Sequence, residues 1–580
     1  CTKVAHYAAL NNTGITGIYI PASVGQIGGG AFGGCSSLAS VEFAENAQIT
    51  DLDWRAFWDC TALTEISIPD SLTRIGTETF SGCTALGKIA ISENSRLSQL
   101  EYAAFGYYPC GYIDLSDMVL RNPPILYGST RREDAGVPIT EIYLPASALK
   151  PYNSGKDKAA GIFAGSRTLK KVTIGAAGTE KMQLPYEAFT NCVNLETVDL
   201  GGNVSKIGMA AFFGCTSLKQ IDLSGIDSIE CCAFAKSGLT EVTIPETTTE
   251  IGSFAFLGCT GLETMTILTD QTGSYGGESL MSILGLTAYV SSGNIHSSSV
   301  QNSTPIRSNA EFRSLYPKHT ALKTLNIGIK DGKTVFDQKS NFAAYIPSLE
   351  KVTLPEGMTQ IPDQAFHMCF SLKSIDIPTS VKSIGYQAFQ FDVGLDVDFS
   401  KLTNLESIGQ GAFQIIGNQG GGSDSTRYTD LITNGGISNI ILPSSLKSIG
   451  YHAFFGQRNA KKIVIPESVS SVGMGSFQMI PSMEELEVYA TVNALGSGYF
   501  NEIFWNERSK SLQKIILGEQ YSSTGEVNGY DLFYALSASQ VEMRLNNLKA
   551  IGKGMFRNME NLTSFDIPAT VTEIDQAAFM

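Results

Sequence analysis

Residues Leu63–Phe80 read LTEISIPDSLTRIGTETF. In the first half, L-x-x-I-x-I-P, Ile66 and Ile68 alternate with the polar Ser67. That alternation is a short strand with one face inward. Pro69 has no N–H to give to a ladder and ends the strand. The second half, L-x-x-I-G-x-x-x-F, adds Leu72, Ile75 and Phe80 to the apolar set, and Gly76 suits a tight backbone turn there. One such unit has too few apolar side chains to bury them alone. The Phe, however, recurs at Phe57, Phe80, Phe189, Phe212, Phe234, Phe256, Phe366, Phe389, Phe413, Phe454, Phe477, Phe533, Phe556 and Phe579. Regular spacings are 22 to 24 residues. A period of this length is the mark of stacked repeats, in which each unit covers its neighbours and the core grows as a column.

Two further stretches carry a resemblance. Leu372–Phe389 reads LKSIDIPTSVKSIGYQAF and Leu239–Cys259 reads LTEVTIPETTTEIGSFAFLGC. Both resemble the leucine-rich repeats of BspA-like bacterial surface proteins, and the likeness covers most of the chain. It implies an α/β repeat fold: a right-handed leucine-rich-repeat solenoid with a parallel β-sheet on its concave face. About twenty coils are expected, as one solenoid over residues 1–580. With roughly 4.8 Å between neighbouring strands, the body would be on the order of 95 Å long. The resemblance also implies a bacterial cell-surface or secreted protein that binds host or neighbouring-cell proteins without being an enzyme.

Composition narrows the partners. At 43% hydrophobic and 17% charged residues, the chain is an ordered protein. Its net charge of −15 speaks against nucleic acid, which needs a basic stripe. No run of 18 apolar residues is present, so no transmembrane segment is expected. A monomer without a cofactor or bound metal is the expectation.

Of the 11 cysteines, Cys35, Cys60, Cys83, Cys192, Cys215, Cys259 and Cys369 follow the repeat Phe position by three residues. The coil dictates their spacing, so they read as a ladder of small buried thiols. Cys1 is a candidate lipid-bearing residue of the kind that opens a mature lipoprotein; the alternative is that the chain simply begins there. At the other end Met580 directly follows Phe579, so the repeats are expected to continue beyond residue 580.

Three interruptions break the period, near 106–138, 268–321 and 418–436. They are natural places for specificity, because loops on a rigid scaffold commonly carry it. The exposed middle positions of the strands supply the other candidates. Asp199 with Asp222, and Asp376 with Asp398, would stack as acidic pairs on adjacent rungs. Such pairs are either solvated or share a cation such as calcium. Ile441, Val464 and Ile516 would be apolar rungs, and exposed apolar pairs can mark a contact surface. Trp505, or the tyrosines of 106–138, would be platforms for a sugar ring if the ligand were a glycan. That reading, a glycan-binding surface module of a gut-type bacterium, is the alternative to protein adhesion.

Gly28, Gly30 and Gly33 spell G-x-G-x-x-G, but inside a coil and without the strand–loop–helix unit that dinucleotide binding requires. The histidines, His6, His296, His319, His367 and His452, are scattered, and no catalytic motif surrounds them.

Overall fold

The computed structural model describes residues 2–105, 138–149, 162–175, 181–269, 283–284, 321–328, 342–415, 435–490, 511–518, 538–543 and 550–580, apart from positions 93, 102, 203 and 253. Cys1, Trp505 and most of the three interruptions lie outside the described residues. The chain divides into two compact units, one formed mainly by residues 1–278 and the other mainly by 322–580. Among the described residues they carry about 17 turns of parallel-strand solenoid. Among the described residues helix is limited to short 3-10 turns such as Ala146–Leu149 and Phe399–Lys401 and to a helical position at Ile283.

Each regular turn holds two strands where the sequence suggested one. In the first unit, L-x-x-I-x-I segments such as Glu65–Ile68 and Lys88–Ile91 pair in parallel, with Ile66 opposite Ile89. The x-I of the second half forms its own ladder: Lys3–Val4, Gln26–Ile27, Asp51–Leu52, Arg74–Ile75 and Gln99–Leu100 are hydrogen-bonded in that order. The second unit repeats the plan. Long strands run from Asn439–Ile441 through Lys462–Ile465 and Glu485–Val488 to Lys514–Leu517. Its short strands are Gln360–Ile361, Ser383–Ile384, Ser407–Ile408, Ser448–Ile449 and Ser471–Val472.

A third set of bonds closes the coil around the Phe. Arg55, Phe57 and Asp59 donate their N–H groups to the carbonyls of Thr77, Thr79 and Ser81 in the next coil, at 2.8, 3.0 and 2.9 Å. Arg55 and Asp59 adopt φ of 51° and 54°. A left-handed residue on either side of Phe57 aims alternate amides along the stack. Left-handed backbone costs a non-glycine residue about 1–2 kcal/mol, and some coils place glycine there, as at Gly82 and Gly214.

The phenyl rings form the column that the period predicts. Phe32, Phe57, Phe80, Phe105, Phe163, Phe189, Phe212, Phe234 and Phe256 stack consecutively in the first unit, with centroids 5.3 to 5.8 Å apart. In the second unit Phe366, Phe389, Phe413, Phe454 and Phe477 do the same. The seven cysteines are buried and unbridged. Each thiol donates to a carbonyl one coil back, Cys60 to Phe32 and Cys83 to Phe57 among them, at 3.2 and 3.1 Å. Burial pushes Cys192 up to about 12 and Cys259 to about 11, so neither supplies thiolate at neutral pH.

The I-G glycine has a different role from the one its sequence context suggests. Gly76 has no positive φ. A Cβ there would lie 2.7 Å from the Trp54 amide nitrogen of the preceding coil. Close approach of coils, rather than a tight turn, excludes a side chain at this position.

Candidate recognition surface

The acidic candidates are exposed but do not form stacked pairs of strand residues. Asp199 ends the strand Thr197–Asp199 and faces Thr173. Its carboxylate accepts the Gly201 N–H at 2.9 Å. Asp222 lies outside any strand and accepts the Ser224 N–H at 2.9 Å. Those bonds to Ser224 hold its pKa below the usual carboxylate value. Asp376 faces Thr353. Asp398 caps the 3-10 turn Phe399–Lys401, and bonds from Ser400 and Lys401 lower its pKa. In Asp199, Asp222 and Asp398 the carboxylate accepts a backbone N–H two residues on, which is the ordinary local chemistry of an Asx turn. Among the described residues no three His, Cys, Asp or Glu side chains gather as a metal site.

The apolar candidates do meet. Ile441 pairs with Val464 across adjacent rungs, and Ile441 is 41% exposed. The next rung outward is Glu487. Lys462 bridges both Glu485 and Glu487, at 3.2 and 2.5 Å, and Tyr489 donates its hydroxyl to Glu487 at 2.7 Å. The result is a small apolar step beside fixed, paired charges. Ile516, expected on the exposed face, is instead only 3% exposed.

A second feature lies on the short-strand ladder of the same unit. Ser383, Ser407, Ser448 and Ser471 occupy successive rungs in register. Two residues on, Gly385, Gly409, Gly450 and Gly473 form a parallel row. Their amides are already spent on Ile361, Ile384, Ile408 and Ile449 of the preceding coils, at 2.7 to 2.8 Å. The short serine side chains leave the space above the ladder open, as a groove of about 520 Å³. Tyr386 and Asp363 line it with the serines. Tyr386 is 40% exposed, and its amide is held by the Asp363 carboxylate at 2.7 Å. None of the four serine hydroxyls has a hydrogen-bond partner among the described residues.

The first unit shows what this ladder looks like when filled. Asp51, Arg74 and Gln99 hold the corresponding rungs. Arg74 bonds Asp51 at 2.6 Å, Glu101 at 3.0 Å and Asp53 at 3.3 Å. Burial opposes its charge, but the bonds to Glu101 and Asp51 outweigh it and raise the Arg74 pKa. Burial likewise opposes the Glu101 charge, and its bond from Arg74 prevails and lowers the pKa. Gln26 closes the row by donating to Asp51 at 2.9 Å. The glycines of the G-x-G-x-x-G stretch sit behind this row as packing surface. A Cβ at Gly30 would meet the Tyr7 ring at 2.8 Å, and one at Gly33 would meet Leu10 at 3.2 Å.

The groove lies on the short strands, which are too brief to show alternation in a single coil. Its signal is S-I-G or S-V-G at 383–385, 407–409, 448–450 and 471–473, a polar residue repeated where other coils vary.

No helix among the described residues is long and apolar enough to cross a membrane. Among curated proteins none matches the chain. Several solved structures are similar over most of its length. A leucine-rich repeat protein from Bacteroides ovatus shares 20% identity over 84% of this chain and 82% of its own, with a TM-score of 0.35. The pneumococcal vaccine antigen PcpA shares 15% over 90% and 80%, with a TM-score of 0.25. A leucine-rich cell surface protein from Faecalibacterium prausnitzii shares 18% over 74% and 85%, with a TM-score of 0.24. The BspA-type leucine-rich repeat region, in six copies, matches residues 2–121, 159–306, 338–418, 432–527 and 507–580. With the repeat matched over most of its length and the coils built as described, the chain belongs to the BspA-type leucine-rich-repeat family.

Proposed function

We propose that this protein is a non-enzymatic recognition protein of the bacterial surface that binds a protein of a host or neighbouring cell. The paired rungs Ile441 and Val464 carry the reading. Apolar side chains on a strand face bring no stability to the free protein while they stay wet, and they gain when a partner covers them. The neighbouring Lys462, Glu485 and Glu487 are held in place by one another, so they present fixed charge to a partner at little entropic cost. A backbone bonded coil to coil in three places per turn is a rigid support for such a face. Membership of a family with surface-exposed relatives supports the location.

The test is surface plasmon resonance of the purified chain over immobilised matrix proteins, with Ile441→Asp and Val464→Asp as variants. Capture by at least one matrix protein is expected, with at least about a tenfold loss in the double variant, as burial of two aliphatic side chains implies. Absence of any matrix-protein binding, or undiminished binding by a folded double variant, would refute the reading.

A further inference from the structure

We propose that the serine–glycine groove of the second unit is a binding site for a neutral, polyhydroxylated chain: an uncharged oligosaccharide laid across the rungs Gln360, Ser383, Ser407 and Ser448. It is separate from the Ile441–Val464 face.

Four observations select the ligand's chemistry. First, serine hydroxyls recur along the floor, beside Gln360 and Asp363. Ser383, Ser407 and Ser448 are half-buried, stand in register and lack protein partners. A serine hydroxyl both donates and accepts, so it suits a ligand whose own groups do both. Rungs about 4.8 Å apart repeat that offer along the groove. Second, the backbone is closed to the ligand. The amides of Gly385, Gly409 and Gly450 are bonded to the preceding coils, so an extended peptide finds no main-chain ladder to join.

Third, the one charged side chain in the groove lining is acidic, and among the described residues no cation lines it. Asp363 is engaged by the Tyr386 amide. Beside the ladder Lys447 is paired with Glu406 at 2.7 Å, and that bond holds the Glu406 pKa down. An anionic ligand would lose hydration here without a counter-charge. Fourth, Tyr386 lines the groove with its ring partly exposed and its backbone fixed. Such a ring offers an apolar face to the C–H side of a sugar, and its hydroxyl remains a polar handle.

The contrast with the first unit makes the emptiness specific. There the same rungs are spanned by Arg74, Asp51 and Gln26, and the space is occupied by their side chains. Nothing in the coil forces serine onto this ladder, since Asp51, Arg74 and Gln99 hold the corresponding rungs of the first unit, yet four successive coils of the second unit have it.

The experiment is isothermal titration of the full chain with neutral hexasaccharides of β-1,4-glucan, β-1,3-glucan, α-1,4-glucan, β-1,4-mannan and β-1,4-xylan. A hyaluronan oligomer and an unstructured neutral peptide serve as comparators. At least one neutral hexasaccharide is expected to bind, with an affinity unchanged by added salt. Tyr386→Ala and the groove-filling Ser407→Tyr should each weaken it about tenfold or more, as loss of one well-placed contact implies. Should the larger side chain lower the melting temperature, the isosteric Ser407→Ala and Ser448→Ala pair replaces it, and the same direction is expected. Ile441→Asp should leave sugar binding intact, which separates failure of this site from failure of the protein-binding face. Absence of binding by every neutral sugar, binding only of hyaluronan or the peptide, or binding indifferent to the groove variants each overturns the proposal.

Discussion

The rings of Phe105 and Phe163 stack with centroids 5.3 Å apart and planes 10° from parallel, although residues 106–162 lie between them in the chain. The column therefore does not register the first interruption. What fixes the coil is a phenyl ring docked between two others, and the chain length between docking points is free to vary. Loop-closure cost rises only slowly with length, which makes such an insertion tolerable.

Truncating one of these rings should cost the same at the interruption as within a regular stretch. Phe163→Ala and Phe389→Ala each remove a ring that is 1% exposed and flanked by two others. Both should lose about 3–5 kcal/mol of stability in denaturant unfolding followed by circular dichroism. A Phe163→Ala loss below about 1 kcal/mol would show that the ring beside the insertion is not part of the working core.

The repeat was legible because its core residues must recur. Ile66, Leu72, Ile75 and Phe80 are each buried, and each belongs to the period read from one coil. Two things were not legible. The pairing of the x-I segment into its own ladder leaves only two residues per coil, such as Arg74–Ile75, too short to show alternation. The groove is built from what is missing, and serine before Ile384 looks no different in one coil from a solvated turn residue. Only its alignment over Ser407, Ser448 and Ser471 gives it meaning, and that alignment is a property of stacking.

Close approach of coils predicts a sharp difference between two glycines. A Cβ at Gly473 would stand 2.3 Å from the Tyr451 nitrogen and 2.6 Å from the Gly450 carbonyl carbon, both backbone atoms. A Cβ at Gly87 meets nothing nearer than the Ala85 oxygen at 4.0 Å. Gly473→Ala should therefore lose about 1–3 kcal/mol through overpacking. Gly87→Ala should stay within about 0.5 kcal/mol of the parent or gain slightly. Equal melting temperatures for the two variants would remove the coil-contact explanation of the I-G glycine.

Asp392 stands where the other coils place cysteine, three residues after Phe389. It is buried; one carboxyl oxygen accepts the Cys369 N–H at 2.8 Å and the other has no partner. Burial pushes its pKa well above the usual 3.8. The folded state thus keeps a proton that the unfolded chain releases near pH 3.8. Stability from this group is full below that pH and declines as pH rises toward the folded pKa. Asp392→Cys would put a thiol near the Phe366 carbonyl, as Cys83 meets Phe57. The variant should gain about 1–3 kcal/mol at pH 7 and less near pH 4. A gain of equal size at both pH values would show that ionisation plays no part.

His452 sets the opposite slope. It packs against Tyr451 and Phe455, with centroids 3.8 and 4.8 Å away, and its buried Nδ1 has no hydrogen-bond partner. Burial lowers its pKa from 6.5 to about 4. The folded protein therefore holds the ring neutral at pH values where the unfolded chain takes up a proton. Its contribution is complete above pH 6.5 and is lost as pH falls from there toward 4. His452 also adopts a φ of 54°, which asparagine tolerates well. His452→Asn should cost stability at pH 7 by lost packing, yet lose less than the parent on acidification. The difference between the two curves should narrow by about 1–2 kcal/mol between pH 7 and pH 4.5, after allowance for solvent screening of a partly hydrated ring. Melting curves across that range decide it, since parallel declines for parent and variant would mean that His452 does not titrate differently in the two states.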